Sequence, residues 1–167
     1  SEAAKNYKEA LAVYKRKFTI NHPRIEEPFD RLLDKFSRNI SNHKLEPVFY
    51  NLIQIEMDIL GANHDHTGRI LNTLGKKFEK ENTNEAIRVY KDSIDLQKRN
   101  RAPVPAYLID ALYETSRLYL NQKKPKKALP YIKEALFLAE SAHFPVKPLL
   151  VRVLRLMEKI YSNLDEV

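Results

Sequence analysis

Three features of the 167-residue sequence predict an all-α fold, a solenoid of stacked antiparallel helix pairs. First, a large apolar residue followed seven positions later by an aromatic recurs as Phe29 with Phe36, Leu71 with Phe78, Leu112 with Tyr119 and Leu154 with Tyr161. The four starts lie 42, 41 and 42 residues apart. Second, nineteen residues before each start stand Ala10, Leu52, Ser93 and Ala135, followed directly by Leu11, Ile53, Ile94 and Leu136. A fixed offset inside a fixed period marks one supersecondary unit stacked repeatedly. Third, the spacing within units is helical: Leu71, Leu74, Gly75 and Phe78 fall at i, i+3, i+4 and i+7, on one face of a helix, and no segment alternates as a strand does.

The elements follow in order. Residues 1–20 hold Ala3, Tyr7, Ala10 and Leu11, the second helix of a partial unit. Helices are then expected over 25–39 and 44–60, divided by the turn formers Asn39 to Asn42, and over 67–81 and 84–99, divided by Asn82 to Asn84. The next pair is expected over 106–122 and 126–142, around Pro125, and a terminal helix over 148–163. The prediction is a single array over 1–167 of seven to eight helices, with pairs at 25–60, 67–100 and 106–142. Prolines at 23, 103, 105, 145 and 148 punctuate the joints between units, and a proline in a first helical turn is harmless because its missing N–H has no intrahelical partner there. Pro47 and Pro130 are expected near helix starts for the same reason. Leu33, Leu45 and Leu52 stand where other units carry small residues, which predicts wider packing of the pair at 25–60.

Composition narrows the chemistry. With 29 Lys+Arg against 22 Asp+Glu the net charge is +7, and 43% hydrophobic with 31% charged residues is the balance of a folding, helix-rich chain. Three glycines and no cysteine argue against a Gly-rich dinucleotide fold, a disulfide framework, a cysteine nucleophile and thiolate metal sites. No stretch reaches the ~20 apolar residues a membrane span needs, and residues 1–20 are charged throughout, unlike a signal peptide; a cytoplasmic location follows as the expectation. No phosphate loop, zinc-hydrolase helix or nucleophile elbow is present, so the expectation is a noncatalytic protein with no cofactor. Asn63-His64-Asp65-His66 is the best metal candidate, but a structural or catalytic zinc needs three or more ligands with support behind them, and no partner cluster exists in the sequence. Lys123, Lys124, Lys126, Lys127 and Lys133 could attract nucleic acid, although the aromatic interleaving that serves single-strand stacking is sparse.

The run LNTLGKKFEKENTNEAIRVYKDSIDL resembles a tetratricopeptide (TPR) repeat through Leu71, Leu74, Gly75, Phe78, Ala86, Tyr90, Ser93 and Ile94. The following unit matches through Leu112, Ser116, Tyr119, Ala128, Ile132, Ala135 and Leu136. Gly75, Ser116, Ala86 and Ala128 are small where paired helices approach closely. The long unit, with Gly61-Ala62-Asn63-His64 and Leu71-Asn72-Thr73-Leu74, is similar to the kinesin light chain variant. The resemblance implies a right-handed solenoid whose first helices line a concave groove that binds protein segments. Glu158 stands at a position that is small elsewhere, so no ordinary second helix is expected to follow it closely; the chain reads as part of a longer array or as one with capped ends.

Helical geometry then selects the groove residues, those opposite the packing stripe. They are Glu27, Asp30, Asp34 and Arg38, followed by Arg69, Asn72, Lys76, Glu79 and Lys80. Next come Asp110, Tyr113, Arg117 and Asn121, and finally Arg152, Arg155, Lys159 and Asn163. Carboxylates lead at the beginning and cations afterwards, so the expected ligand is an acidic segment of a partner protein, held by Arg69, Lys76, Lys80, Arg117, Arg152, Arg155 and Lys159. Asn72 and Asn121 could grip peptide backbone, each amide being both donor and acceptor. Two other readings stand beside this one: a structural array that self-associates or stacks through its end helices, and nucleic-acid binding through the basic surface.

Overall fold

The computed structural model describes residues 42–60, 66–99, 106–142 and 147–165, together with Lys5, Glu9, Ala12, Val13 and Arg16. Among those from residue 42 onward are six helices: α1 (Asn42–Leu60), α2 (His66–Glu79), α3 (Thr83–Arg99), α4 (Ala106–Asn121), α5 (Pro125–Ser141) and α6 (Lys147–Asp165), and Lys5, Glu9, Ala12, Val13 and Arg16 are α-helical too. No strand occurs among the described residues. The expected helix over 25–39, the acidic beginning of the groove and the linker residues 61–65 lie outside them, so the expected count of seven to eight stands against six described from residue 42 onward. The twelve expected boundaries of these six helices fall within two residues of those observed, because turn formers and prolines mark both ends of each element.

The helices form two layers. First helices α2, α4 and α6 lie closer to one another than second helices α1, α3 and α5 do, so the array curves with the first helices inside. Side chains instead of backbones bridge the wider outer layer. Tyr50 donates to Asp92 at 2.7 Å, Arg88 meets Glu46 at 2.7 Å, and Lys98 meets Glu134 at 2.7 Å.

The core follows the repeat. Leu71, Leu74, Phe78, Ala86, Tyr90 and Ile94 are buried in one unit, and Ile109, Leu112, Ala128, Ile132 and Ala135 in the next. Gly75 has a steric reason: a Cβ there would stand 2.8 Å from the Tyr90 ring. Ser116, its counterpart, donates from Oγ to the Ala128 carbonyl at 2.9 Å. Leu52 is buried in the same core, so a large residue at that position is accommodated. Pro47 and Pro130 lie inside their helices, in the second turn instead of at the start, where each removes a backbone donor.

The two described intra-unit turns use different chemistry. Asn82 caps α3, its Oδ1 accepting from the amides of Asn84 at 3.1 Å and Glu85 at 3.3 Å. At the other turn Lys123 adopts φ 57°, and the Lys124 amide reaches back to the Tyr119 carbonyl at 3.0 Å, closing α4 with a left-handed residue. Lys124 then makes no side-chain cap for α5, and Pro125 occupies the first turn.

Candidate functional site

The inner layer carries a connected row of charges. The Tyr90 hydroxyl donates to Glu79 at 2.8 Å, and Arg117 joins Glu79 at 2.5 Å to Glu114 at 2.6 Å. Arg152 continues the row, 3.1 Å from Glu114 and 3.6 Å from Asp110, with its guanidinium 4.4 Å above the Tyr113 ring. Lys76 closes it on Asp110 at 3.7 Å. Burial works against the charge of Arg117, but hydrogen bonds to Glu79 and Glu114 outweigh it and hold the guanidinium more firmly protonated than in water. Burial and the negative Glu79 push the Tyr90 hydroxyl up, so it remains a donor.

This row changes the charge expected of the groove. Lys76, Arg117 and Arg152 are opposed by Glu79, Asp110 and Glu114, so they hold neighbouring first helices together and are not free cations awaiting a ligand. Glu114 is buried, where a carboxylate demands cationic partners, and it receives two arginines. Sequence reasoning missed it, although a signal existed. Glu79 to Arg117 and Glu114 to Arg152 are both separated by 38 residues, one repeat less one helical turn, which is the offset between neighbouring first helices.

Asn72 is buried and already hydrogen-bonded. It is 3% exposed, its Nδ2 donates to the Tyr107 carbonyl at 2.8 Å, and its Oδ1 lies 2.8 Å from Ser93 Oγ. Gln97 donates to the same hydroxyl at 2.9 Å. The amide expected to grip a peptide is occupied in joining α2, α3 and α4. Arg69 lies over the Tyr107 ring at 5.7 Å, and Tyr113 is half-buried beneath Arg152.

Lys80, Asn121, Arg155 and Lys159 are exposed. The side chains of Lys80, Arg155 and Lys159 make no ion pair among the described residues. With Lys76 and Arg117, Lys159 completes a series of cations at one equivalent position on α2, α4 and α6, five residues after Leu71, Leu112 and Leu154.

The lysine-rich turn lies away from this row. A hollow of about 420 Å³ between α3 and the α4–α5 turn is lined by Arg88, Lys91, Asp92, Tyr119, Lys124 and Lys127, and a smaller one of about 280 Å³ joins Lys123 to Lys127 with Leu164. Tyr119 stacks on Tyr131 beside the larger, with ring centroids 5.7 Å apart. Arg88 in that hollow is already held by Glu85, Glu46 and Asp92. Tyr50 in the same outer network is pushed up to about 12 by burial and its bond to Asp92. Among the described residues no group of three or more metal-ligating side chains converges, and no helix is long and apolar enough to cross a membrane. His64 and Asp65 lie outside the described residues.

The crystal structure of nearly identical TPR-like repeats from Podosopora anserina, assigned to a kinesin light chain, superposes with a TM-score of 0.56, covering 99% of this chain and 79% of that one at 12% identity. The fold is a TPR-like α-solenoid. No protein-family model and no curated protein matches the sequence. The likeness at 12% identity is one of fold.

Proposed function

We propose that the whole chain, residues 1–167, is one noncatalytic cytoplasmic TPR-like array, right-handed in its superhelix, that binds an acidic segment of a partner protein on its concave face. The observation that carries this reading is that Lys80 at the end of α2 and Arg155 and Lys159 on α6 are exposed and make no ion pair among the described residues. Lys80, Arg155 and Lys159 supply the attraction that internal carboxylates leave unspent, and the Tyr113–Arg152 stack provides an apolar floor. A concave surface of one sign raises the local concentration of the opposite charge.

The test uses a fluorescent Glu/Ala-rich peptide and its Lys/Ala counterpart. The acidic peptide should bind selectively, and Arg155→Glu with Lys159→Glu should weaken it by more than about tenfold, or ~1.4 kcal/mol, with the melting temperature unchanged. Arg117 is unsuitable as a binding probe because its loss uncovers the buried Glu114, so Arg117→Glu should destabilise the fold. Lys124→Glu with Lys127→Glu is the control on the turn. If that control abolishes capture while the α6 pair does not, the concave face is not the site. Tight oligonucleotide binding with steep salt dependence would replace this reading with the nucleic-acid one.

A further inference from the structure

The outer seam between α1 and α3 is closed by two side-chain bridges, Arg88 to Glu46 and Tyr50 to Asp92, each at 2.7 Å. Neither has its counterpart one unit later. Counting from the equivalent residues Leu52, Ser93 and Ala135, the positions of Glu46 and Arg88 hold Ile87 and Pro130, which cannot form an ion pair. The positions of Tyr50 and Asp92 hold Lys91 and Glu134, but Glu134 meets Lys98 at 2.7 Å, which leaves Lys91 unmatched among the described residues. The seam between α3 and α5 stands open as the hollow of about 420 Å³.

The turn beside it inverts its charge as well. Glu81, Asn82 and Glu85 of the α2–α3 turn correspond to Lys123, Lys124 and Lys127. Glu85 holds Arg88 at 2.8 Å, whereas Lys127 makes no ion pair among the described residues and Lys124 donates to the neutral amide of Gln122 at 2.9 Å. Arg88 is committed to Glu46, Glu85 and Asp92, and Asp92 also accepts from Tyr50. That leaves Lys91, Lys124 and Lys127 facing a single unmatched carboxylate in the lining, Asp95, three positive charges against one. An excess of two positive charges in a concavity attracts a dianion. A phosphate monoester carries nearly that charge at neutral pH and offers three acceptor oxygens to the ammonium donors, where a carboxylate offers one charge and two oxygens. The volume lies within the range of small-molecule sites, about 300–1,000 Å³, and leaves room for an organic part beside the half-buried Tyr119 ring.

We propose that Lys91, Lys124 and Lys127 bind a phosphate monoester in the hollow between α3 and the α4–α5 turn, with the organic part of the ligand packed on Tyr119. The site lies on the outer layer, between two described units, and does not depend on the peptide reading of the concave face.

The probe is a fluorescein-labelled Ser/Ala/Gly peptide carrying one phosphoserine, read by fluorescence anisotropy against the full chain. It should bind at least tenfold more tightly than its unphosphorylated form. Lys91→Ala with Lys127→Ala should remove that preference at an unchanged melting temperature, since neither lysine holds an ion pair among the described residues. Lys126→Ala with Lys133→Ala removes the same charge from α5 outside this hollow and should keep the preference. Displacement by free phosphoserine or by inorganic phosphate supports the site, the more effective competitor showing whether the ester or the phosphate group alone is recognised. No preference for the phosphorylated peptide, or equal losses in the two lysine pairs, overturns the proposal. A thymidine oligonucleotide that displaces the peptide and is weakened equally by both pairs overturns it in favour of a general basic surface.

Discussion

Helices α2 and α6 are the same element in two environments. Leu71 is 2% exposed in one and Leu154 is 47% exposed in the other, although both begin the same apolar-to-aromatic heptad. The heptad fixes which residues share a face, while burial is conferred by whatever packs there. In α2 that neighbour is α3, whose Tyr90 fills the space above Gly75. In α6 the equivalent position is Glu158, which is exposed. A repeat protein therefore stores in each unit half of an interface, and the energetic meaning of a residue depends on whether its other half is present.

The largest expected difference between the two helices comes from truncating that shared leucine. Leu71→Ala should destabilise by ~2–4 kcal/mol through lost apolar contact and a residual cavity. Leu154→Ala should cost under ~1 kcal/mol, since much of its surface is already wet. Chemical denaturation of both variants checks this, and equal losses would mean that α6 is covered. Next in size is overpacking. Gly75→Leu should cost ~1–3 kcal/mol because even a Cβ collides with Tyr90, whereas Glu158→Ala should remain within ~0.5 kcal/mol of the parent. Thermal melts with no loss for Gly75→Leu would remove the close approach as the reason for glycine.

Much of this fold is legible in the sequence because a repeat displays the same physical requirement several times. Gly75, Ser116, Ala86 and Ala128 stand where the resemblance to TPR repeats implies a close helix approach. The charge of the inner face was less legible. Counting residues on the face opposite the packing stripe finds Lys76, Arg117 and Arg152, but helix-face geometry says nothing of the neighbour's side chains. Asp110 and Glu79 neutralise them from adjoining helices, and Glu114 does so from within the same helix, three residues before Arg117. The burial of Asn72 is illegible for a related reason. Its position faces the next unit, where Tyr107 presents a carbonyl, so its burial is a property of two repeats and not of one.

The smaller effects lie in the turns, where the unit containing α2 and α3 differs again from its neighbour. Asn82→Ala should cost ~1 kcal/mol, because two first-turn amides of α3 lose their acceptor. The α4–α5 turn has the opposite defect. Lys123 sits at φ 57°, a left-handed conformation in which a Cβ crowds the following carbonyl at a cost of ~1–2 kcal/mol. Glycine removes that crowding but gives the unfolded chain more freedom, which returns ~0.5–1 kcal/mol of the gain. Lys123→Gly should therefore stabilise by less than ~1 kcal/mol, a rise of about 1–3 °C in melting temperature for a chain of this length. The left-handed geometry is set by the Lys124 amide reaching Tyr119, a backbone contact that survives the substitution. A lower melting temperature in Lys123→Gly would show instead that the lysine side chain contributes more across the adjoining Leu164 hollow than its backbone strain costs.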